Sequence, residues 1–525
     1  MRKARSCSKP ATGISRKRVR AGRGILSASG ERLHIIVIGC GAAGMMAAIQ
    51  AAEHGANVTV LEKNEKAGKK VYISGKGRCN LTNACDTADY FEAVVRGSRF
   101  LYSAVYGFDA SRVQRFFEER GCPVKTERGM RVFPVSDKSS DVIKTLVYEM
   151  RRLGVRVRYD TEVKRLLFAD AEGASGTDDT AENDSVHDVP ADAGERMRRV
   201  TGVRLASGEA VMADAVIVAT GGLSYPSTGS TGDGYVFARA AGHGVADCFP
   251  SLVPFETKED WCRELQGLTL KNVRLYTLPE PDGGKRARAR GGKQTPRFDE
   301  QGEALFTHFG ISGPLVLSAS AVLNEVLFPA AARQEQADAG NGKGTAHGVL
   351  RLAIDLKPAL THEELDTRLI RDFSENGKKQ FGNSLGALFP QSLIPVMVRL
   401  AEAGMPAGAG ADTKDGAKPV TIARDRKTGT LTAAERRAFG ALMKRLPVTV
   451  TGTRGFSEAV ITRGGVALKE INPSTMASKL CAGLYFAGEV LDCDALTGGF
   501  NLQIAWSTGY AAGCAAAACG RREQV

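Results

Sequence analysis

HIIVIGCGAAGMMAAIQAAEHGANVTVLE, running from His34 to Glu62, decides the fold. His34–Ile38 is a short β-branched run. Ala42 to His54 is an apolar stretch of helical length, closed by Gly55 at the position after the cap, where glycine is favoured. Val58 to Leu61 is a second buried strand. Strand, helix and strand make a βαβ unit of about 30 residues. At its first turn stands Gly39-Cys40-Gly41-Ala42-Ala43-Gly44, a G-x-G-x-x-G that follows a strand and opens a helix. Gly39 permits the tight turn. Gly41 lets the backbone approach a pyrophosphate, and Gly44 lets helix and strand pack closely. The helix start offers unbonded N–H groups and the positive end of its dipole to phosphates, through Ala42, Ala43 and Gly44. Glu62, at the end of the second strand, is placed to accept hydrogen bonds from ribose hydroxyls. Its charge would repel a 2′-phosphate, so the bound nucleotide is expected to be FAD or NAD rather than NADP.

Outward from this unit the alternation of strand and helix continues. Ser139 or Ser140 can cap a helix reaching about Leu153. Val155–Tyr159 and Glu162–Phe168 read as strands. Val200–Leu205 and Ala210–Ala213 flank Ser207-Gly208, a hairpin signal. Ala215–Thr220 is a buried strand ending in Gly221-Gly222. From Ser251 the pattern changes to longer alternating strands (Leu268–Leu278, Val349–Leu356), and from Thr361 to Arg445 it becomes helical. Strands return at Val448–Val450 and Glu458–Thr462. Gly483 to Gly513 is again strand, turn and helix, like the opening unit. One sheet domain split by a long insertion follows. Its parts are a basic tail at 1–30, a nucleotide domain at 31–250 and 471–525, an inserted β-rich domain at 251–357 and 447–470, and a small helical domain at 358–446.

The chain has 525 residues, 43% hydrophobic and 25% charged, which excludes wholesale disorder, collagen-like repeats and a multi-span membrane protein. Its net charge of +13 would suggest nucleic acid. Nine of the 71 basic residues, however, lie in 1–30 with no acid, so residues 31–525 carry 62 basic against 58 acidic groups, a net of +4. The signal belongs mostly to a tail, read as a disordered extension or a start codon placed too far upstream, with nucleic-acid contact and an organelle transit peptide as the other readings; the nearly neutral remainder argues against a nucleic-acid partner. Segments 169–196, 280–297, 330–348 and 404–418 are rich in Gly, Ala and charge and read as surface loops. The 11 cysteines are scattered with no C-x-x-C, which speaks against zinc or any other metal site and for a reducing, cytoplasmic setting. No apolar run is long enough for a membrane span.

A second anion-facing element is expected near the C-terminus. Gly488-Glu489 follows the strand Leu484–Ala487, and Gly498-Gly499-Phe500-Asn501 leads into a helix of small residues. Unbonded N–H groups at Gly499 to Asn501 would stabilise the negative edge of a reduced flavin.

Four blocks, VIGCGAAGMMAA…VTVLEKN, KKVYISGKGRCNLTN, ATGGLSYPSTGSTGDGYVFARAAGH and LYFAGEVLDCDALTGGFNLQIAWSTGYAAG, resemble the BaiN-like family of NAD(P)/FAD-dependent oxidoreductases, over most of residues 33–520. The resemblance implies an α/β fold: a Rossmann-like FAD-binding domain, an inserted β-barrel-like domain and a small helical domain. It implies non-covalent FAD with its adenosine end at Gly39, Gly41, Ala43, Gly44 and Glu62, and a cation from Lys63 or from the 69–80 loop, in which Lys70, Gly77, Arg78 and Asn80 are expected cofactor contacts. Val163 corresponds to the adenine contact, Thr220 and Gly221 to a second FAD contact, Gly488-Glu489 to the ribityl chain, and Gly499, Phe500, Asn501 and Leu502 to the flavin ring. The implied activity is reduction of an activated C=C bond in a hydrophobic small molecule with electrons from NAD(P)H; since no second G-x-G-x-x-G follows a strand, that donor would dock transiently, or another reductant would serve. Arg78 is read as neutralising the pyrophosphate or else polarising a substrate carbonyl. Cys79 as a redox thiol and His308 as a catalytic group are weaker readings, and no catalytic residue is assigned. The stretch Thr231-Gly232-Asp233-Gly234 also resembles fumarate-reductase and ketosteroid-dehydrogenase flavoproteins, without an equivalent of their catalytic His/Arg set. An RNA-modifying flavoprotein and a flavin binder without turnover are the alternatives. The oligomeric state is not readable.

Overall fold

A computed structural model describes residues 32–169, 197–278, 298–328, 350–405 and 419–519. The basic tail and nearly all of the four segments read as loops lie outside these residues.

The central sheet has five parallel strands in the order β5-β4-β1-β2-β3, with β1 His34–Ile38, β2 Asn57–Leu61, β3 Arg156–Arg158, β4 Ala215–Val218 and β5 Leu484–Phe486. Strands covered on both faces read as unbroken apolar runs. That is why Ile35 to Val37 and Val216 to Val218 are wholly buried. Helix α1, Ala42–Glu53, packs on this sheet. It ends as expected, with Gly55 at a φ of 93° and donating to Ala52. The sheet's fifth strand comes from the far end of the chain, so the nucleotide domain is closed by residues some 270 positions beyond its fourth strand.

Helix α2, Phe500–Ala518, lies directly on α1. A Cβ on Gly509 would sit 2.4 Å from the Ala43 carbonyl oxygen, and one on Gly513 2.4 Å from that of Ala47. The missing side chains set this approach. The matched pairs show that the two helices run parallel.

The insertion forms a closed six-stranded barrel in the order Phe255–Thr257, Gly310–Ser312, Asp299–Thr307, Thr269–Thr277, Leu350–Asp355, Leu446–Thr453. Between its last two strands in sequence lies a helical segment. Its helices His362–Glu375 and Ala433–Lys444 each open on a capping box, Thr361 with Glu364 and Thr432 with Glu435. Barrel and helices share one apolar core, separate from that of the sheet domain. An antiparallel ribbon, Val245–Ser251 with Ile461–Val466, joins the two.

Two local expectations are corrected. Ser139 does not cap its helix: Lys138 holds the cap position, and the Ser139 hydroxyl donates to the Tyr72 carbonyl at 2.7 Å. Glu458 is not in a strand. Gly455–Glu458 is a single helical turn in which Arg454 bonds Glu458 at 2.8 Å, and the strand starts at Ile461. No helix among the described residues is long and apolar enough to cross a membrane.

Candidate functional site

A cleft of about 1270 Å³, its open mouth included, lies beyond the carboxyl ends of β1, β4 and β5. This is where open α/β sheets bind ligands, because the loops there diverge. Gly39–Ala43, Ala219–Gly221, Ala487–Glu489, Asn501, Leu502, Ile504 and Ala505 form its floor.

At one end the α1 start is built for a phosphate. Gly39 has a φ of 99°, and a Cβ there would lie 2.6 Å from the Ala219 carbonyl oxygen. A Cβ on Gly44 would lie 1.9 Å from the Gly39 carbonyl oxygen. Both glycines are therefore required by packing, and Gly44 does not line the cleft. Gly41 is different: its Cβ would meet nothing within 4 Å. No side chain caps α1, and Met45 N–H, donating to the Gly41 carbonyl at 3.0 Å, makes the helix's first bond. The N–H groups of Ala42, Ala43 and Gly44 are thus left for a ligand. Glu62 is buried beside them. It accepts from the Cys40 N–H at 2.7 Å, and its other oxygen accepts from the Asn64 N–H at 2.9 Å and side-chain amide at 2.6 Å. Each carboxylate oxygen has two lone pairs, so acceptor capacity remains for a ribose.

At the other end stands the start of α2. Gly499 caps it at a φ of 103°, with no side-chain hydrogen bond, and a Cβ there would fall 2.4 Å from the Thr82 carbonyl oxygen. Asn501 accepts from the Ala495 N–H at 3.0 Å and donates to the Ala495 carbonyl at 2.8 Å. Its amide locks the preceding loop, and its backbone serves the cleft. Ala43 faces Gly509, so α2 starts about eight residues ahead of α1, an offset of about 12 Å at 1.5 Å per residue. Two uncapped helix starts, offset by about 12 Å along their axes, therefore face one continuous cleft. That arrangement fits a long ligand with two anionic regions, and the residues present suit a dinucleotide.

The cations of the cleft are all engaged. Lys63 bonds Asp233 at 2.6 Å and also Thr231. Lys69 bonds Glu65 at 2.9 Å. Lys70 bonds Glu489 at 2.5 Å and the Ser224 hydroxyl at 2.6 Å, which leaves one of its three N–H groups uncommitted. Glu489 also accepts from the Thr462 N–H at 2.9 Å, tying the floor of the cleft to the ribbon that carries the insertion.

Of the residues expected at the site, Gly39, Gly41, Ala42, Ala43, Glu62, Lys63, Lys70, Val163, Thr220, Gly221, Gly488, Glu489, Asn501 and Leu502 line this one cleft. Gly44, Gly77, Arg78, Asn80, Gly499 and Phe500 do not. Arg78, read as neutralising a pyrophosphate or polarising a substrate carbonyl, lies outside the cleft lining, with its guanidinium held by Glu127 and Asp137, each at 2.5 Å, and 4.1 Å from the Phe133 ring centre. Gly77 belongs to the same left-handed loop, Gly75 to Cys79, that aims Arg78 at those acids. Burial pushes the Cys79 thiol up to about 12, which removes the thiolate a redox role needs. His308 is exposed at a barrel turn, packed edge-on to Phe309.

Several wall residues went unread in the sequence: Asn64, Thr161, Thr228–Ser230, Val460, Ile461 and Cys493. Asp233, in the T-G-D-G stretch, had a legible motif but no role. Its role here is to hold Lys63 from across the cleft. Among the described residues no cluster of His, Cys, Asp and Glu could hold a metal ion.

The family model described as HI0933-like protein Rossmann domain matches residues 33–515. The chain is 28% identical over 483 residues to a 3-dehydro-bile acid delta(4,6)-reductase of Clostridium scindens, covering 92% of this chain and 98% of that protein. It is 28% identical over 478 residues to a ribosomal RNA dihydrouridine synthase of Haemophilus influenzae (91% and 96% covered). It is 26% identical over 483 residues to that of Escherichia coli K12 (92% and 97%).

Proposed function

The chain belongs to the HI0933-like Rossmann-domain family, and from that premise and the cleft we propose that it is an FAD-dependent oxidoreductase that saturates an activated C=C bond. The carrying observation is the pair of uncapped helix starts facing one cleft with Glu62 at its near end. Bound FAD would supply hydride chemistry that no side chain of this site can. The chain's own residues bind and orient. Ala42 and Ala43 N–H groups meet the pyrophosphate, and Glu62 takes the ribose hydroxyls. Lys70 turns its remaining N–H toward the ligand while Glu489 fixes its position. The α2 start places N–H groups against the flavin edge that becomes negative on reduction. Ile461, the first residue of the ribbon strand, and Val460 before it give the cleft wall an apolar surface, which supports a hydrophobic substrate. NAD(P)H serves as a transient donor in this reading. The ten described cysteines are all unpaired thiols, in keeping with a cytoplasmic setting.

A second reading, RNA modification, draws on the two dihydrouridine synthase relatives. A dihydrouridine is a uridine with one ring double bond saturated, so both readings share one chemistry and differ in the size of the acceptor. The test is anaerobic. Purified protein should be yellow, be bleached by NADH or NADPH, and be reoxidised by one member of a panel of steroid and simpler enones, quinones and ribosomal RNA. Reoxidation by RNA alone selects the second reading. Protein without flavin absorbance that FAD does not reconstitute defeats both. Yellow protein that neither NADH nor NADPH bleaches is the flavin binder without turnover.

A further inference from the structure

Between the two cleft-lining residues Cys493 and Asn501 the chain carries a carboxyl that the proposed chemistry does not use. Asp494 is completely buried. Among the described residues its one hydrogen bond comes from a neutral donor, the Ser251 hydroxyl at 3.0 Å, and its second oxygen, also shielded from water, has no partner. A carboxylate so placed is poorly compensated, because a buried charge needs a counter-ion or several donors. The neighbouring charges are mostly spent on each other. Arg96, across the strand pairing from Asp494, bonds Asp492 at 2.6 Å. Arg463 of the ribbon donates to the Ala321 carbonyl at 2.9 Å and lies 3.6 Å from Glu325. The fully buried Cys493 thiol contributes no charge, since burial and both aspartates raise it far above neutrality.

We propose that Asp494 is a positioning residue for the reaction, a carboxyl whose charge, on or off, sets how readily the cofactor at the α2 end of the cleft is reduced. The inference rests on the FAD reading above. Asp494 follows Cys493, which lines the cleft, at the Cα spacing of about 3.8 Å, and Asn501 clamps the residue after it. Removal from water is the main cause that raises this carboxyl to about 6, and Asp492 adds to it. Arg463, the Ser251 hydroxyl and Arg96 pull the other way. Below that pH the group is neutral and leaves the negative edge of the reduced flavin unopposed. Above it, a carboxylate in a poorly screened site repels that charge.

The test uses the purified holoprotein, wild type and Asp494→Asn, equilibrated anaerobically at a fixed reducing poise with a reference dye. At pH 5 the two should show the same ratio of reduced to oxidised flavin. At pH 8 the ratio should be about tenfold higher in the Asn variant. Curves that coincide at every pH overturn the proposal. Thermal melts give a reading independent of flavin. A folded-state pKa above the unfolded 3.8 means stability is full at low pH and declines as pH rises toward 6, so wild type should lose stability relative to the Asn variant over that window. Absence of flavin in both proteins would defeat the FAD reading while the melts still judge the buried proton. Should the Asn variant fail to fold, Ser251→Ala keeps the carboxyl and removes its only donor. The pH of the change must then move upward, and an unmoved curve overturns the idea.

Discussion

Gly41 and Gly44 stand three residues apart in one motif, yet the structure gives them opposite tasks, and substituting each separates ligand binding from folding. At Gly41 a side chain points into open space, and the backbone has a φ of −86°, which any residue adopts. Gly41→Val should therefore cost the fold only the loss of a good cap residue, about 0.5–1 kcal/mol. The branched side chain would hold a pyrophosphate away from the Ala42 and Ala43 N–H groups. Losing two charge-assisted hydrogen bonds of about 1.5–3 kcal/mol each weakens binding by about 3–6 kcal/mol, or 10²–10⁴-fold in Kd. At Gly44 the added Cβ of alanine lies 1.9 Å from the Gly39 carbonyl oxygen and 3.5 Å from the Ala219 Cβ. Neither the turn nor β4 can yield without moving the sheet, so Gly44→Ala should cost 3 kcal/mol or about that, the upper end for overpacking. The assay is urea unfolding of the FAD-free forms by circular dichroism, because bound ligand would itself add stability, with FAD content read from absorbance. A Gly41→Val protein that is as unstable as Gly44→Ala, or that keeps its flavin, refutes the reasoning.

Three other outcomes follow from the geometry. Lys444→Met leaves Asp355, whose side chain is 2% exposed, without its partner at 2.6 Å; breaking such a pair costs about 3–5 kcal/mol, visible in the melting temperature of the barrel while FAD absorbance in the cold is unchanged. Thr361→Ala and Thr432→Ala each remove a capping box and should cost about 1 kcal/mol apiece, detectable as faster local amide exchange in those two helices and not in α1. Cys79, fully buried with its thiol raised to about 12, should resist iodoacetamide at pH 7.5 in the folded protein and react on unfolding, as mass spectrometry of its peptide would record; rapid labelling of the native protein would contradict this.

The βαβ unit was legible because its determinants are local: a β-branched run, three glycines at fixed spacing and an acid at the next strand end. The return of the chain at Leu484 to complete the sheet was legible only as a resemblance between two distant segments. Barrel closure was not, since its order pairs Phe255–Thr257 with Leu446–Thr453 across some 190 residues, and alternation names a face but no partner. Among expected site residues, Glu62, Lys63, Lys70 and Glu489 line the cleft together with Gly39, Gly41, Gly221 and Gly488. What the sequence did not carry was the partners of the cations, because a cation states none. Arg78 has the composition of a phosphate ligand, and Lys63 stands beside the ribose acid, yet acids remote in sequence claim both, Glu127 and Asp137 for one and Asp233 for the other. Ser139 failed as a cap for the same reason, its hydroxyl drawn to Tyr72.

The glycine contact between α1 and α2 has a last consequence. Because Gly509 and Gly513 seat one helix against the other without intervening side chains, the two helix starts cannot slide independently, and their offset works as a ruler. In the proposed reading the two marks of that ruler take the phosphate and the flavin, so FMN, with one phosphate and the same ring, would span them as well, and what FAD adds is the adenosine at Glu62. The ruler thus sets the distance from phosphate to ring and leaves the choice between the two flavins to the recess beside Glu62.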